Sequence, residues 1–272
     1  MQTFYSAGVS GEWLMRQGGQ EFTKIENVPL HITCFESCGY YNIFYSSDGD
    51  WYGGGANSFF QQGHGRKNIQ PFTKLEAFSG HKPKIISCGE KISAFLTAEG
   101  ELYVTGTKYK TCTKILEIPP LSIISCGVDK IVAIPQEQTG IFVISSPSNI
   151  DVYQPDKYFV DCAAGHDFFL ALDDSGIAYS WGNSVAVGHG SIRTTTPFEL
   201  KTIKNRITKV FARYDQSILV GENNTLYVAG QNEANQLGIR SKSEIDSFIQ
   251  IPIDFTQNSI EKITFSEKVT FI

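Results

Sequence analysis

The apolar positions of this chain fall in short runs. NIFYSSDG, SAFLTAEG, IVAIPQEQTG, FFLALDDSG and SILVGENN each hold a strand-length apolar stretch that closes in a polar turn, and KVTFI at the end is a sixth run with no turn after it. A second kind of run ends in a small residue and glycine: ESCG to Gly39, ISCG to Gly89, ISCG to Gly127 and CAAG to Gly165. VFAR at 210–213 and ITFS at 263–266 hold the same place without the glycine. A third kind is aromatic or aliphatic and ends in glycine: FYSAG to Gly8, WYGGG to Gly55, LYVTG to Gly106, AYSWG to Gly182 and LYVAG to Gly230, with IFVIS at 141–145 as a degenerate copy. Apolar, β-branched and aromatic runs bounded by turn residues predict strands.

The three kinds recur in constant order, with units spaced by about 37 to 53 residues. QPFTKL, TPFEL and FIQIPI supply a fourth, outer strand, because proline is tolerated at a sheet edge where its missing N–H faces solvent. Four short strands per unit of this length predict the blades of a propeller. The last unit stops at Ile272 after its third strand, and the chain begins with QTFYSAG, a fourth strand with no third before it. Pairing the two would complete a blade from both termini and leave no open edge. The expectation is therefore an all-β, closed β-propeller of six blades, each of about four antiparallel strands, in a single domain spanning 1–272. The blades fall near 9–55, 56–106, 107–145, 146–182 and 183–230, with 231–272 completed by 1–8. Seven blades, or a fragment of seven, is the competing reading.

Composition narrows the class. A chain of 272 residues with 41% apolar content can bury a substantial core, and 25 glycines with 12% aromatics suit β structure cut by turns. The net charge of −5 and the lack of long like-charge runs speak against a nucleic-acid binder, so DNA or nucleosome partners are not expected. MQTFYSAGVSGEW lacks the basic start and apolar core of a signal peptide, and no apolar segment reaches the roughly 20 residues that cross a bilayer. The reading is a cytoplasmic, monomeric domain without membrane insertion, a nuclear location remaining open.

LYVAGQNEANQLGI at 226–239 joins a glycine-ending strand to Asn-x-x-x-Gln-Leu-Gly; WYGGGANSFFQQGHG at 51–65 and AYSWGNSVAVGHG at 178–190 are worn copies. This strand–Gly-x-Asn-x-x-Gly-Gln-Leu-Gly pattern, followed by Val-x-x-Gly and an apolar strand with Asp-Gly, resembles the regulator of chromosome condensation repeat family over essentially the whole chain. The family's usual histidine, three residues after the Val-x-x-Gly glycine, is replaced by Asn42, Ile92, Lys130, Phe168, Gln216 and Val269, which marks a divergent member.

No enzyme chemistry stands out. Cys38, Cys88 and Cys126 occupy one equivalent place in successive units, and Cys34 with Cys38 lacks the second pair that a zinc site needs; buried structural thiols without disulfides are expected. The histidines do not cluster: His64 and His189 lie in Gly-His-Gly contexts, and His166–Asp167 sits at a turn. No nucleophile elbow or phosphate loop is present, and GGG at 53–55 reads as strand-end glycine. No cofactor, metal or catalytic residue is assigned.

The repeated glycines, Gly8, Gly55, Gly106, Gly182, Gly230 and Gly238, are expected at positive φ where strands turn sharply. Asn57 and Asn232 suit the same turns. More informative are Trp13 and Phe60, which stand where the family has glycine and where the best copy has Asn235. Strand alternation puts these loops on the rim of the turns carrying Tyr40, Tyr41, Asp129, Lys130, His166, Asp167, Tyr214 and Asp215. Aromatics among mixed charges predict a protein-binding surface, with Trp13 and Phe60 as apolar anchors and Asp129, Asp167 and Asp215 as acidic contributors. Capping of neighbouring blades by Trp13 and Phe60 is the alternative. The opposite rim, with SSDGD, TAEGE, DDSG and GENN, reads as solvated hairpins.

The resemblance implies action through protein contacts. The family's founding member is a guanine-nucleotide exchange factor for a small nuclear GTPase and docks on nucleosomes; others are propellers inside HECT-type ubiquitin ligases or FYVE proteins, and a bacterial relative inhibits β-lactamase. Fold alone does not choose among these. The expected partner is a protein, foremost a small GTPase, with exchange as the accompanying activity. The alternative is a non-catalytic scaffold within a longer chain.

Overall fold

The run FFLAL at 168–172 is apolar at every position because both of its faces are covered. In a computed structural model, Phe169 and Ala171 face one core cluster while Phe168, Leu170 and Leu172 face another. Full burial of such side chains contributes about 1.5–3 kcal/mol each.

The structure describes residues 5–6, 23–24, 31–63, 65, 67–154, 156–190, 192, 194–240, 243–251, 260, 263–265 and 270–271. They form strands β1 (Tyr5–Ser6), β2 (Thr23–Lys24), β3 (Ile32–Ser37), β4 (Tyr41–Ser46), β5 (Trp51–Gly55), β6 (Ile69–Lys74), β7 (Ile85–Cys88), β8 (Ile92–Leu96), β9 (Leu102–Gly106) and β10 (Tyr109–Lys114) in a first unit. A second unit holds β11 (Leu121–Cys126), β12 (Ile131–Pro135), β13 (Ile141–Ser146), β14 (Asn149–Tyr153), β15 (Phe159–Ala164), β16 (Phe168–Asp173), β17 (Ala178–Gly182) and β18 (Thr194–Glu199). It continues with β19 (Ile207–Arg213), β20 (Gln216–Gly221), β21 (Leu226–Gln231), β22 (Glu244–Gln250), β23 (Thr264–Phe265) and β24 (Thr270–Phe271).

Among the described residues these give five four-stranded sheets of consecutive strands, β3–β6, β7–β10, β11–β14, β15–β18 and β19–β22. The chain ends contribute two separate antiparallel pairs, β1–β2 and β23–β24. The proline-bearing segments are the outer strands: β6 carries Pro71 and pairs with β5, and β18 carries Pro197 and pairs with β17. Each outer strand follows the glycine-ending strand in the same sheet. The sheets thus run 32–74, 85–114, 121–153, 159–199 and 207–250, whereas units closed at the strand-ending glycine hand the outer strand to the next blade.

In the first unit the core gathers Trp51, Leu75, Phe78, Phe95 and Tyr103. The Trp51 indole lies 5.1 Å from the Phe78 ring and 4.7 Å from that of Phe95, and its N–H donates to the His81 carbonyl at 2.8 Å. All six cysteines are free thiols, with Cys38, Cys88, Cys126 and Cys162 buried. Burial pushes the Cys112 thiol up to about 12 and the Cys162 thiol well above its ordinary range, so neither offers a thiolate at neutral pH.

Register corrects one alignment. Ile92, Phe168 and Gln216 each pair with the strand-ending glycine of the next strand, but in the first sheet Tyr41, not Asn42, pairs with Gly55. The two turns are equal in length, Cys38 N–H bonding the Tyr41 carbonyl as Gly89 N–H bonds that of Ile92, but the Cys-Gly pair sits one residue later in the first. Tyr41 therefore holds the place of the family histidine, and Cys38 sits at the place of Gly89 rather than of Cys88.

Between β15 and β19, the Asp161 carboxylate accepts from the Val210 N–H at 3.0 Å and the Cys162 N–H at 2.9 Å. Burial outweighs these bonds and raises its pKa. A raised acid binds its proton more tightly when folded, so its stabilising contribution is complete below the ordinary value of 3.8 and is lost as pH rises through the shifted pKa. Asp161→Asn keeps an acceptor without the charge. Urea titrations should show the variant gaining stability over the parent as pH rises from 4, with no gain at pH 3.

Candidate functional site

One backbone contact recurs at the rim of four of the five four-stranded sheets. The amide just past the strand-ending glycine donates to the turn residue before the apolar strand: Ala56 to Tyr40 at 2.9 Å, Thr107 to Lys91 at 3.1 Å, Asn183 to Asp167 at 2.8 Å and Gln231 to Asp215 at 2.7 Å. Within each unit, then, the loops and these turns share a rim. Tyr40, Lys91, Asp167 and Asp215 hold one equivalent position, and Asp129 joins them because Gly127 N–H bonds the Lys130 carbonyl as Gly165 bonds Phe168. The backbones of Tyr40, Lys91, Asp167 and Asp215 are pinned by this bond. Tyr40 and Asp167 are exposed, and Asp129 and Asp215 half-buried.

Tyr41 is removed from the candidate surface. It is 0% exposed, and its hydroxyl lies 2.9 Å from the carbonyls of Gly89 and Ile92 and 2.6 Å from Ser93 Oγ. This is an interior tie between two sheets of the first unit, and it follows from the register that places Tyr41 opposite Gly55. Trp13 and Gly8 lie outside the described residues.

Two loops repeat one network. Asn232 accepts from Leu237 N–H at 3.0 Å and donates to the Ile239 carbonyl at 2.7 Å, while Gln236 accepts from Ala234 N–H. Asn57 accepts from Gln62 N–H at 2.9 Å and donates to the Gly65 carbonyl at 3.3 Å, while Gln61 accepts from Phe59 N–H. The asparagines therefore serve by side-chain hydrogen bonding, and the left-handed conformation falls to Asn235 at φ 57° and Phe60 at φ 62°. Gly55, Gly106, Gly182, Gly230 and Gly238 all take positive φ. Gly53 is different: a Cβ there would meet Gln62 Oε1 at 2.4 Å, so this glycine makes room for the loop.

Phe60 is half-buried, and its carbonyl accepts from Thr105 Oγ1 at 2.6 Å. Its neighbour Phe59 is exposed beneath the Lys91 ammonium, 5.2 Å from the ring centre. In the second unit Tyr214 also has positive φ, 49°, with the Arg213 guanidinium 5.8 Å from its ring and its carbonyl accepting from His166 N–H at 2.6 Å. Asp215 accepts from Ser184 Oγ at 2.8 Å, which ties the loop of one sheet to the turn of the next. Sequence reasoning missed Phe59 and Lys91; the Phe-Phe pair beside Asn57 was the available signal.

Among the described residues, no group of three or more His, Cys, Asp or Glu side chains is placed to hold a metal ion. No helix among them is long and apolar enough to cross a membrane. At the other end of the sheets, hairpins such as Ser46 N–H to Asp50 carbonyl close the apolar strands, and Asp50 pairs with Lys74 at 2.8 Å in solvent, where ion pairs contribute little.

No protein-family model matches the chain. Among solved structures, the chain is similar to human WBSCR16, with a TM-score of 0.72 at 15% identity, covering 86% of this chain and 71% of that one. It is similar to Prp20p from Saccharomyces cerevisiae, the subject of a structure and of binding studies with Gsp1p and histones, with a TM-score of 0.67 at 17% identity, covering 81% of this chain and 65% of that one. The ectodomain of the Arabidopsis thaliana receptor kinase ACR4 matches at a TM-score of 0.54 and 16% identity, over 77% of this chain and 70% of that one. With its repeated four-stranded antiparallel sheets, the chain has the all-β fold of an RCC1-like β-propeller.

Proposed function

We propose that this chain is a protein-interaction propeller whose loop-bearing rim binds a small GTPase and promotes release of its nucleotide. The observation that carries this reading is the strained backbone of rim aromatics. A left-handed conformation costs a residue with a Cβ about 1–2 kcal/mol, and for bulky side chains it is a genuine outlier. Phe60 accepts that cost at the place where the sister loop has Asn235, although Asn57 and Asn232 make the same hydrogen bonds in the two loops. Nothing in the turn requires an aromatic ring. Strain of this kind persists where function retains it.

The pinned backbones of Tyr40, Asp167 and Asp215 add support, since a preorganised surface loses little entropy on binding. The choice of a GTPase follows the repeat family's founding activity and the fold likeness to Prp20p, which was studied with Gsp1p. The mechanism is non-covalent. A rim that binds the nucleotide-free form more tightly than the loaded form shifts the population toward release. Phe60 and Tyr214 serve as anchors in their respective units, and Asp129, Asp167 and Asp215 compete for the contacts that hold phosphate and magnesium. Trp13 belongs to the same proposal from sequence alone.

Stopped-flow release of a fluorescent nucleotide from a panel of small GTPases tests this directly. One member should show faster release with the intact chain. Phe60→Asn should gain roughly 1 kcal/mol of stability by relieving the strain, yet lose about tenfold in release rate, some 1.4 kcal/mol of interaction. Unchanged release by every GTPase, together with no binding, would remove the proposal.

A further inference from the structure

The second and third sheets lack a loop that the first and fourth sheets use, because β9 and β13 each turn straight into the next strand. In the first unit, the loop after β5 lies over the next sheet: its Gln61 carbonyl accepts from Ser93 Oγ at 2.7 Å and its Phe60 carbonyl from Thr105 Oγ1 at 2.6 Å. Ser93 and Thr105 are cross-strand partners in β8 and β9. In the second unit the loop after β17 does the same, with its Ala186 carbonyl accepting from Ser217 Oγ at 2.6 Å; Ser217 pairs with Ala229. After β13, however, the chain turns straight into β14, with Ser146 paired to Asn149. No loop leaves this strand to cover the following sheet.

The pair at the same register in that following sheet is Phe169–Trp181. Two small side chains that bind a loop carbonyl elsewhere are replaced by two large rings, 5.4 Å apart, with Tyr153 of β14 6.2 Å from Trp181. A groove of about 700 Å³ opens here, lined by these three rings together with Lys130, Asp151 and Asp167. That volume lies within the range of clefts, about 300–1,000 Å³, that bury a small ligand or a single large side chain. Phe169 and Trp181 are only 8% and 2% exposed, so they form a rigid floor and Tyr153 a wall. Asp151 lies two residues before Tyr153 in β14 and so shares its face of the strand.

Charge and shape together select the occupant. Two carboxylates against one ammonium leave the lining net negative, and aromatic faces attract cations. A planar guanidinium can stack on a ring while its N–H fork reaches a carboxylate, which an ammonium cannot do equally well. The sister sites are filled by a turn of peptide. We propose that this groove seats an exposed turn of a protein partner that inserts an arginine side chain between Tyr153 and the Asp151 and Asp167 carboxylates, in place of the missing loop. The inference rests on the reading of this rim as a protein-binding surface and specifies the chemistry that one part of it accepts.

The test needs no GTPase, so its outcome is separable from that of nucleotide release. A cyclic peptide displaying a Gly-Arg-Gly turn is titrated calorimetrically into the full chain, beside the same peptide with citrulline, the neutral counterpart of arginine. The arginine peptide should bind at least tenfold more tightly. Asp151→Asn with Asp167→Asn should abolish that preference. Thr195→Trp, at an exposed position on the groove's edge strand, should block both peptides while leaving the thermal melt unchanged. No binding of the arginine peptide, equal binding of the two peptides, or binding indifferent to these variants would overturn the proposal.

Discussion

Replacing Trp51 with alanine lowers the unfolding free energy by about 3–5 kcal/mol, the range for truncating a large buried aromatic. The indole is 1% exposed and sits between Phe78 and Phe95, so its removal leaves a cavity that three elements of the first unit cannot close. It also strands the His81 carbonyl, which accepts the indole N–H at 2.8 Å. Against total stabilities of about 5–15 kcal/mol, such a loss is a large share of the whole. Chemical denaturation followed by fluorescence checks it. A loss below about 1 kcal/mol would mean that Trp51 is not a keystone of that core.

Gly230→Ala should be nearly as damaging, for a different reason. Its φ is +118°, a conformation that costs a Cβ-bearing residue about 1–3 kcal/mol. Its Cβ would also stand 2.1 Å from the Asp215 carbonyl oxygen, the acceptor of the rim bond from Gln231. Backbone must move, and the pinned position of Asp215 moves with it. A total loss of about 3 kcal/mol follows from the strain and the displaced bond together. Gly238→Ala is the control: φ there is +76°, but nothing lies within 4 Å of the added methyl. It should cost only the conformational term, about 1–2 kcal/mol. Thermal melts of the two variants separate steric from conformational cost, and equal losses would contradict this account.

Much of the architecture was legible because the chain repeats itself. The order of apolar run, polar turn and glycine-ending strand corresponds to the sheets from β3 to β22. The proline-bearing segments with Pro71 and Pro197 are outer strands, whereas β10 and β14 carry no proline and were not legible. The rim contacts of Tyr40, Asp167 and Asp215 were likewise readable from strand alternation. Less legible was the shift at Tyr41. Cys-Gly occurs in both of the first two turns, so residue matching favours Asn42, but hydrogen bonding starts one residue earlier in the first. A Cys-Gly pair displaced by one residue along a turn of unchanged length leaves no trace in composition. It turned an expected rim tyrosine into a buried tie.

The groove was hidden for a related reason. Its floor, Phe169 and Trp181, reads in sequence as ordinary strand aromatics. What makes it a site is the tight turn at Ser146–Asn149, in a different sheet. The strain at Phe60, by contrast, was visible in advance as an aromatic at the place of Asn235, and the φ of 62° gives that substitution its energetic meaning.

The proposed GTPase contact depends on rim aromatics that are kept at a conformational cost. The most direct measurement is the affinity of immobilised intact chain, Phe60→Asn and Tyr214→Gly for the nucleotide-free GTPase that responds in the release assay. Each variant should fold at least as stably as the parent and bind about tenfold more weakly, a loss near 1.4 kcal/mol. Full affinity in both variants would contradict the account and return Phe60 and Tyr214 to the architecture of their turns.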